Sequence, residues 1–131
     1  MNNVPIQNEG IGGEPEILGR TFRFAVEVVK FCDRLDQQPG VGRVLMSQIV
    51  RSGTSVGSNV EEAQPAESRA DFVSKMSIAL KEARETHFRL RVLAVAGLKK
   101  VEPPRPLVQE SDEIRRILGA IVSSTKGARS A

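Results

Sequence analysis

Few residues in this chain could do bond chemistry, and their spacing argues against it. His87 is the only histidine and Cys32 the only cysteine. An imidazole binds zinc only with further ligands, and the residues four before and four after His87 are Ala83 and Arg91. No co-ligand stands at metal spacing on the same helix, so His87 reads as a packed or boundary histidine. Cys32 lies on an apolar helix face. A cysteine nucleophile needs a base, and His87 is the sole imidazole, so Cys32 reads as a buried structural thiol. The stretch SGTSVGSN has the small polar residues of a phosphate cradle. It lacks the closing Lys-Ser/Thr of a phosphate-binding loop and has no strand before it.

The carboxylates give the same answer. Metal-binding bundles use a Glu-x-x-His motif on two helices, and neither copy is present. Arg51, Ser55, Asn59 and Glu62, with Gln48 nearby, share the polar flank of one helix; Lys75, Glu82, Glu85 and Thr86 line the flank of the next. These groups suit a structural network of hydrogen bonds and salt bridges between helices. The expectation is a protein that is not an enzyme and has no metal or cofactor.

The basic residues suggest a binding role. Lys99, Lys100 and Arg105 surround one interhelical connection, Arg84 and Arg91 lie seven apart on one helix side, and Arg115 and Arg116 follow on the last helix. Singly these are solvated charges. Multiplied round an oligomer they would form a positive rim for an RNA or DNA backbone. No aromatic residues interleave with them, which argues against base stacking as the main mode.

Four helices must position these groups. Residues 1–18 read as a flexible tail rich in Gly, Pro, Asn and Glu. The first helix is expected from Arg20 to Asp36, with Phe24, Ala25, Val28, Val29, Phe31, Cys32 and Leu35 on its core face and a turn at Gln37–Gly40. The second runs from Val41 to Gln64 on a stripe of Val41, Leu45, Ile49, Gly53, Val56, Val60 and Ala63. Its 51–58 segment has poor helix propensity, but the apolar phase continues through it, and Gly53 with Gly57 would admit a neighbouring backbone. Pro65 ends it.

The third helix runs from Arg69 to Ala96, with Ser68 as N-cap, Asp71 in the capping-box position and Gly97 as C-terminal stop. Its core face is Phe72, Met76, Ala79, Ala83, Leu90, Leu93 and Ala94. After a proline-rich connection the fourth runs from Leu107 to Lys126, on Leu107, Ile114, Ile117, Leu118, Ile121, Val122 and Thr125. The domain is thus 19–127, with a C-terminal tail at 128–131. Short connections imply an all-α, antiparallel up-and-down four-helix bundle.

Two helices carry apolar surplus: Phe22 and Val26 on the first, and Phe88, Val92 and Val95 on the third, away from the core stripe. Such faces point to an oligomer interface.

Composition sets the outer limits. The 131 residues make one domain with an aliphatic core, since there is no Trp or Tyr and only five Phe. No apolar run approaches the roughly 20 residues that span a bilayer, and no signal peptide is visible; with a single cysteine, a reducing cytoplasm is the natural setting. The net charge is +3. Glu9, Glu14 and Glu16 lie in a tail with no base, so the rest of the chain is more basic than that total.

The texts RTFRFAVEVVKFC (Arg20–Cys32), QIVRSGTSVGSNVEEA (Gln48–Ala63) and SRADFVSKMSIALKEARETHFRLRVL (Ser68–Leu93) resemble the four-helix-bundle family encoded by intervening sequences within bacterial 23S rRNA genes. The resemblance covers everything except the two tails. The family tends to carry Trp where this chain has Arg89, while Phe88 keeps the aromatic before it. The resemblance implies a homopentamer with no established enzymatic activity and no catalytic residues to carry over. A related bundle, the accessory protein of diversity-generating retroelements, binds nucleic acid and a reverse transcriptase. The expected function is an RNA-binding or ribosome-associated scaffold; the alternative is a protein-interaction module partnering a reverse transcriptase or another enzyme.

Overall fold

The computed structural model describes residues 16–34, 40–98 and 101–130, the last three as backbone only. Leu35, Asp36, most of the Gln37–Gly40 turn, residues 1–15, Lys99 and Lys100 lie outside the described residues. Among those described there are four helices and no strand: α1 Glu16–Arg34, α2 Val41–Ala63, α3 Arg69–Ala96 and α4 Arg105–Ser130. Each helix packs against the next in sequence, and α1 also meets α4.

The helix ends follow local chemistry. The Ser68 hydroxyl accepts the Asp71 backbone N–H at 3.0 Å, closing the first turn of α3. The Asp71 carboxylate meets Lys75 one turn on, at 3.2 Å. Gly97 stops α3 with φ +76°, a left-handed conformation that L side chains rarely adopt. At the end of α2, Pro65 has no N–H to continue the helix.

Three boundaries among the described residues lie two or more positions from the sequence reading. The first helix begins at Glu16, not Arg20, and Ile17 is buried in the core, so the N-terminal tail ends before it. The fourth begins two residues earlier, at Arg105, because Pro106 fits a first turn that needs no donor there. It continues past Gly127 to Ser130, so 128–130 belong to the helix rather than to a tail.

The core is aliphatic with two rings, Phe24 and Phe31. It includes Val28, Ile49, Val56, Val60, Met76, Leu90, Leu93, Ile114 and Leu118. Three expected core positions face out instead: Val29, Val41 and Ala94. At the start of α2 the buried stripe is rotated by one residue, so Gly42 and Met46 take the places expected for Val41 and Leu45.

The Gly/Ser segment is helical throughout. Three of its hydroxyls bond carbonyls of their own helix: Thr54 reaches that of Val50 at 2.7 Å, Ser55 that of Arg51 at 2.7 Å and Ser58 that of Ser55 at 3.2 Å. Close packing against α1 supplies what propensity lacks. A Cβ at Gly53 would lie 2.9 Å from a Val28 methyl, and one at Gly57 would lie 3.1 Å from the Thr21 carbonyl oxygen. The Gly57 contact is with backbone, which cannot rotate away.

Gly57→Ala is therefore expected to lower the unfolding free energy by about 1–3 kcal/mol through overpacking, despite a helix-propensity gain of about 1 kcal/mol. Gly119 has open space around its Cβ position, and Gly119→Ala should raise stability by about 0.4–1 kcal/mol. Urea midpoints at constant m-value check both; equal gains from both substitutions would show that the α1–α2 approach is not limiting.

Candidate nucleic-acid interface

The polar network expected between the second and third helices is real but narrower than its residue types suggest. Arg51 bridges from α2 to Glu82 and Glu85 of α3, each at 3.3 Å. Beneath it, the buried Ser52 and Thr86 hydroxyls share a hydrogen bond of 2.8 Å. Ser55 and Asn59 instead bond to carbonyls of their own helix, and Lys75 to Asp71 of its own helix. Glu85 also meets Arg89 at 3.5 Å, and Arg89 Nη1 is buried without a hydrogen bond.

Cys32 is buried and its thiol is pushed up to about 11 by burial. It therefore stays protonated near neutrality and is a poor nucleophile. Among the described residues no group of three or more His, Cys, Asp or Glu could hold a metal ion.

One ion pair had no signal in the sequence. Arg20 of α1 grips Glu110 of α4 at 2.7 and 2.8 Å and also bonds Glu113. The Glu110 hydrogen bond, together with Glu113 and against desolvation, raises the affinity of Arg20 for its proton. The partners are 90 positions apart, beyond the reach of any helical spacing rule.

The basic residues gather about α3 and α4. Arg84 and Arg91 are exposed on α3, and Arg91 lies 5.8 Å over the Phe88 ring. Arg105 is exposed at the start of α4. Arg115 and Arg116 both hold Asp112, at 2.7 and 3.1 Å. Desolvation pushes the Asp112 carboxyl up, but Arg116, Arg115 and His87 outweigh it and keep it below the usual carboxylate range.

His87 stands in the same cluster, its Nε2 3.7 Å from Asp112 and its side chain only 12% exposed. Desolvation first, then the Arg91 charge, pull its pKa below 6.5; Asp112 opposes them, and Arg115 and Arg116 add to the fall. His87 is thus a boundary histidine, as its spacing suggested, but the surrounding charges come from two helices and could not be read from one. Between α3, the proline connection and α4 lies a cleft of about 480 Å³, lined by His87, Ala94, Pro103, Arg105, Val108 and Asp112 among others.

The surplus apolar residues are all exposed in the single chain: Phe22 42%, Val26 37%, Phe88 59%, Val92 37% and Val95 85%. Val29 and Val44 are exposed as well, although periodicity places Val29 on the core face and Val44 on neither.

The family described as 23S rRNA-intervening sequence protein matches residues 14–120. A crystal structure from Bacteroides thetaiotaomicron VPI-5482, titled as a protein with unknown function from the S23 ribosomal protein family, is 37% identical. The match covers 81% of this chain and 97% of that one, with a TM-score of 0.68. No curated protein matches.

The His87 environment sets a pH dependence. Its pKa is lower folded than unfolded, so between those values the unfolded chain holds more protons and stability rises with pH. Unfolding free energy should fall as pH drops below about 6.5, and His87→Gln should flatten that part of the curve. An unchanged curve in the variant would place the dependence on other groups.

Proposed function

The chain belongs to the 23S rRNA-intervening sequence protein family, and from that premise we propose that it is a non-enzymatic, oligomeric RNA-binding or ribosome-associated protein of the cytoplasm. The observation that carries this is the gathering of Arg84, Arg91, Arg105, Arg115 and Arg116 on α3 and α4, beside a connection whose sequence adds Lys99 and Lys100. Fixed cations along one side of a rigid scaffold attract phosphate regardless of sequence. The ribosomal family name of the Bacteroides relative supports the same class of partner.

The architecture proposed is an antiparallel up-and-down bundle. It is supported by the order of contacts between the first two helices: Thr21 meets Gly57, Val28 meets Gly53, and Cys32 meets Met46, so one helix ascends as the other descends. The assembly proposed is a homopentamer. The number five comes from the family resemblance. The need for a partner copy is supported by the exposed Phe22, Val26, Phe88, Val92 and Val95. The same apolar face favours the second reading, a scaffold for a protein partner such as a reverse transcriptase.

Binding to structured RNA should weaken steeply with salt. Arg105→Ala and Arg116→Ala should each reduce the slope of log affinity against log salt by about 1. An affinity that does not change between low and high salt would overturn a phosphate-contact mechanism. For the assembly, Val92→Glu should lower the mass measured by light scattering toward the monomer; a monomeric wild type would overturn the interface.

A further inference from the structure

The α3–α4 cleft has a composition that a plain basic surface does not need. One wall is apolar, built from Ala94, Pro103 and Val108. Arg105 is the cation in its lining, while Arg91, Arg115 and Arg116 stand outside that lining but close enough to His87 to depress its proton affinity. Only two carboxylates enter the cluster, Glu102 and Asp112, and Asp112 is already held by two arginines. A nearly buried imidazole forms part of the lining. At about 480 Å³ the cleft falls within the roughly 300–1,000 Å³ range of small-molecule sites.

We infer that this cleft seats a nucleotide, with its base against the Ala94–Pro103–Val108 wall and its phosphate at Arg105 and Arg91. The inference deepens the RNA-binding reading and rests on it for the macromolecular source of the ligand. A base is a flat, largely apolar body with polar edges, and the wall offers it a dry face. Gln109 and Asp112 stand beside that wall with donors and acceptors for the edge. The arginines supply the charge-assisted hydrogen bonds that a phosphate requires. Free nucleotides and single-stranded RNA present this same chemistry, and both fit an open cleft.

As the only histidine, His87 gives one imidazole signal in a proton spectrum. The full-length protein would be titrated separately with the four nucleoside 5′-monophosphates, a single-stranded hexaribonucleotide of mixed sequence, and inorganic phosphate. The expected result is a saturable shift of the His87 signal with a nucleotide or the hexamer, and much weaker binding of phosphate alone. An anion placed beside the ring should also raise the His87 pKa, against the pull of Arg91, Arg115 and Arg116 and alongside Asp112.

Ala94→Glu, an exposed change that sets a carboxylate in the wall facing the base and near the phosphate, should weaken binding at least tenfold. Arg105→Ala should also weaken it about tenfold. Binding of the hexamer but no mononucleotide assigns the cleft to RNA strands; the reverse assigns it to free nucleotides and counts against the RNA reading alone. A His87 signal unmoved by every ligand overturns the inference. So does binding that is indifferent to Ala94→Glu, or phosphate binding as tight as nucleotide binding. Salt-sensitive RNA binding could survive each of these results.

Discussion

The contact on which the rest of the structure depends is the approach of α1 to α2 at Gly53 and Gly57. There is no room for a side chain at either position: the space is filled by the Val28 methyls at one and the Thr21 backbone at the other. Because α1 lies against this side of α2, the adjacent Ser52 turns toward α3 and meets Thr86 in the dry interior. Thr86 also reaches the Glu82 carbonyl of its own helix at 2.8 Å, so the buried Ser52 hydroxyl is the one that depends on this contact. Glycines and hydroxyls therefore fix the relative placement of three helices within two turns of α2. The same residues that weaken the helix in isolation define how it packs.

Electrostatics then fasten the outer edges. Arg51 clips α2 to α3, and Arg20 clips α1 to α4 with a bidentate grip. These pairs lie at the margins of the core, where charges keep partial contact with water, so the interior itself stays aliphatic. A separate group of cations, Arg91, Arg105, Arg115 and Arg116, stands on α3 and α4. Arg115 and Arg116 share one carboxylate, so the cluster keeps a positive surplus. The arginines that clip helices together are thus distinct from those of the α3–α4 cluster.

The outward face of α3 carries a third kind of information. Phe88, Val92 and Val95 share a side with Arg84 and Arg91, and the Arg91 guanidinium lies over the Phe88 ring. Exposed apolar and cationic side chains therefore occupy neighbouring strips of one helix. An assembly formed through the apolar strip would bring the arginines of several copies together. That coupling makes oligomer formation and nucleic-acid affinity parts of one proposal.

Much of this was legible in the sequence. The bounds of α3 follow from Ser68 and Gly97, residues whose own backbone and hydroxyl chemistry start and stop a helix. The continuous apolar phase identified α2 through a segment that propensity alone would assign to a loop. The exclusion of metal-site spacing around His87 was also local, because it depends on residues one turn away. What the sequence could not contain was the angular setting of one helix against another. That setting decided that Gly42 and Met46, not Val41 and Leu45, enter the core, and that Val29 and Ala94 face out. It also decided that Arg20 finds Glu110, and that His87, Arg105 and Asp112, from two helices, line a single cleft. Periodicity ranks the faces of one helix by hydrophobicity; only packing fixes which neighbour each face meets, because that depends on distances between residues far apart in the chain.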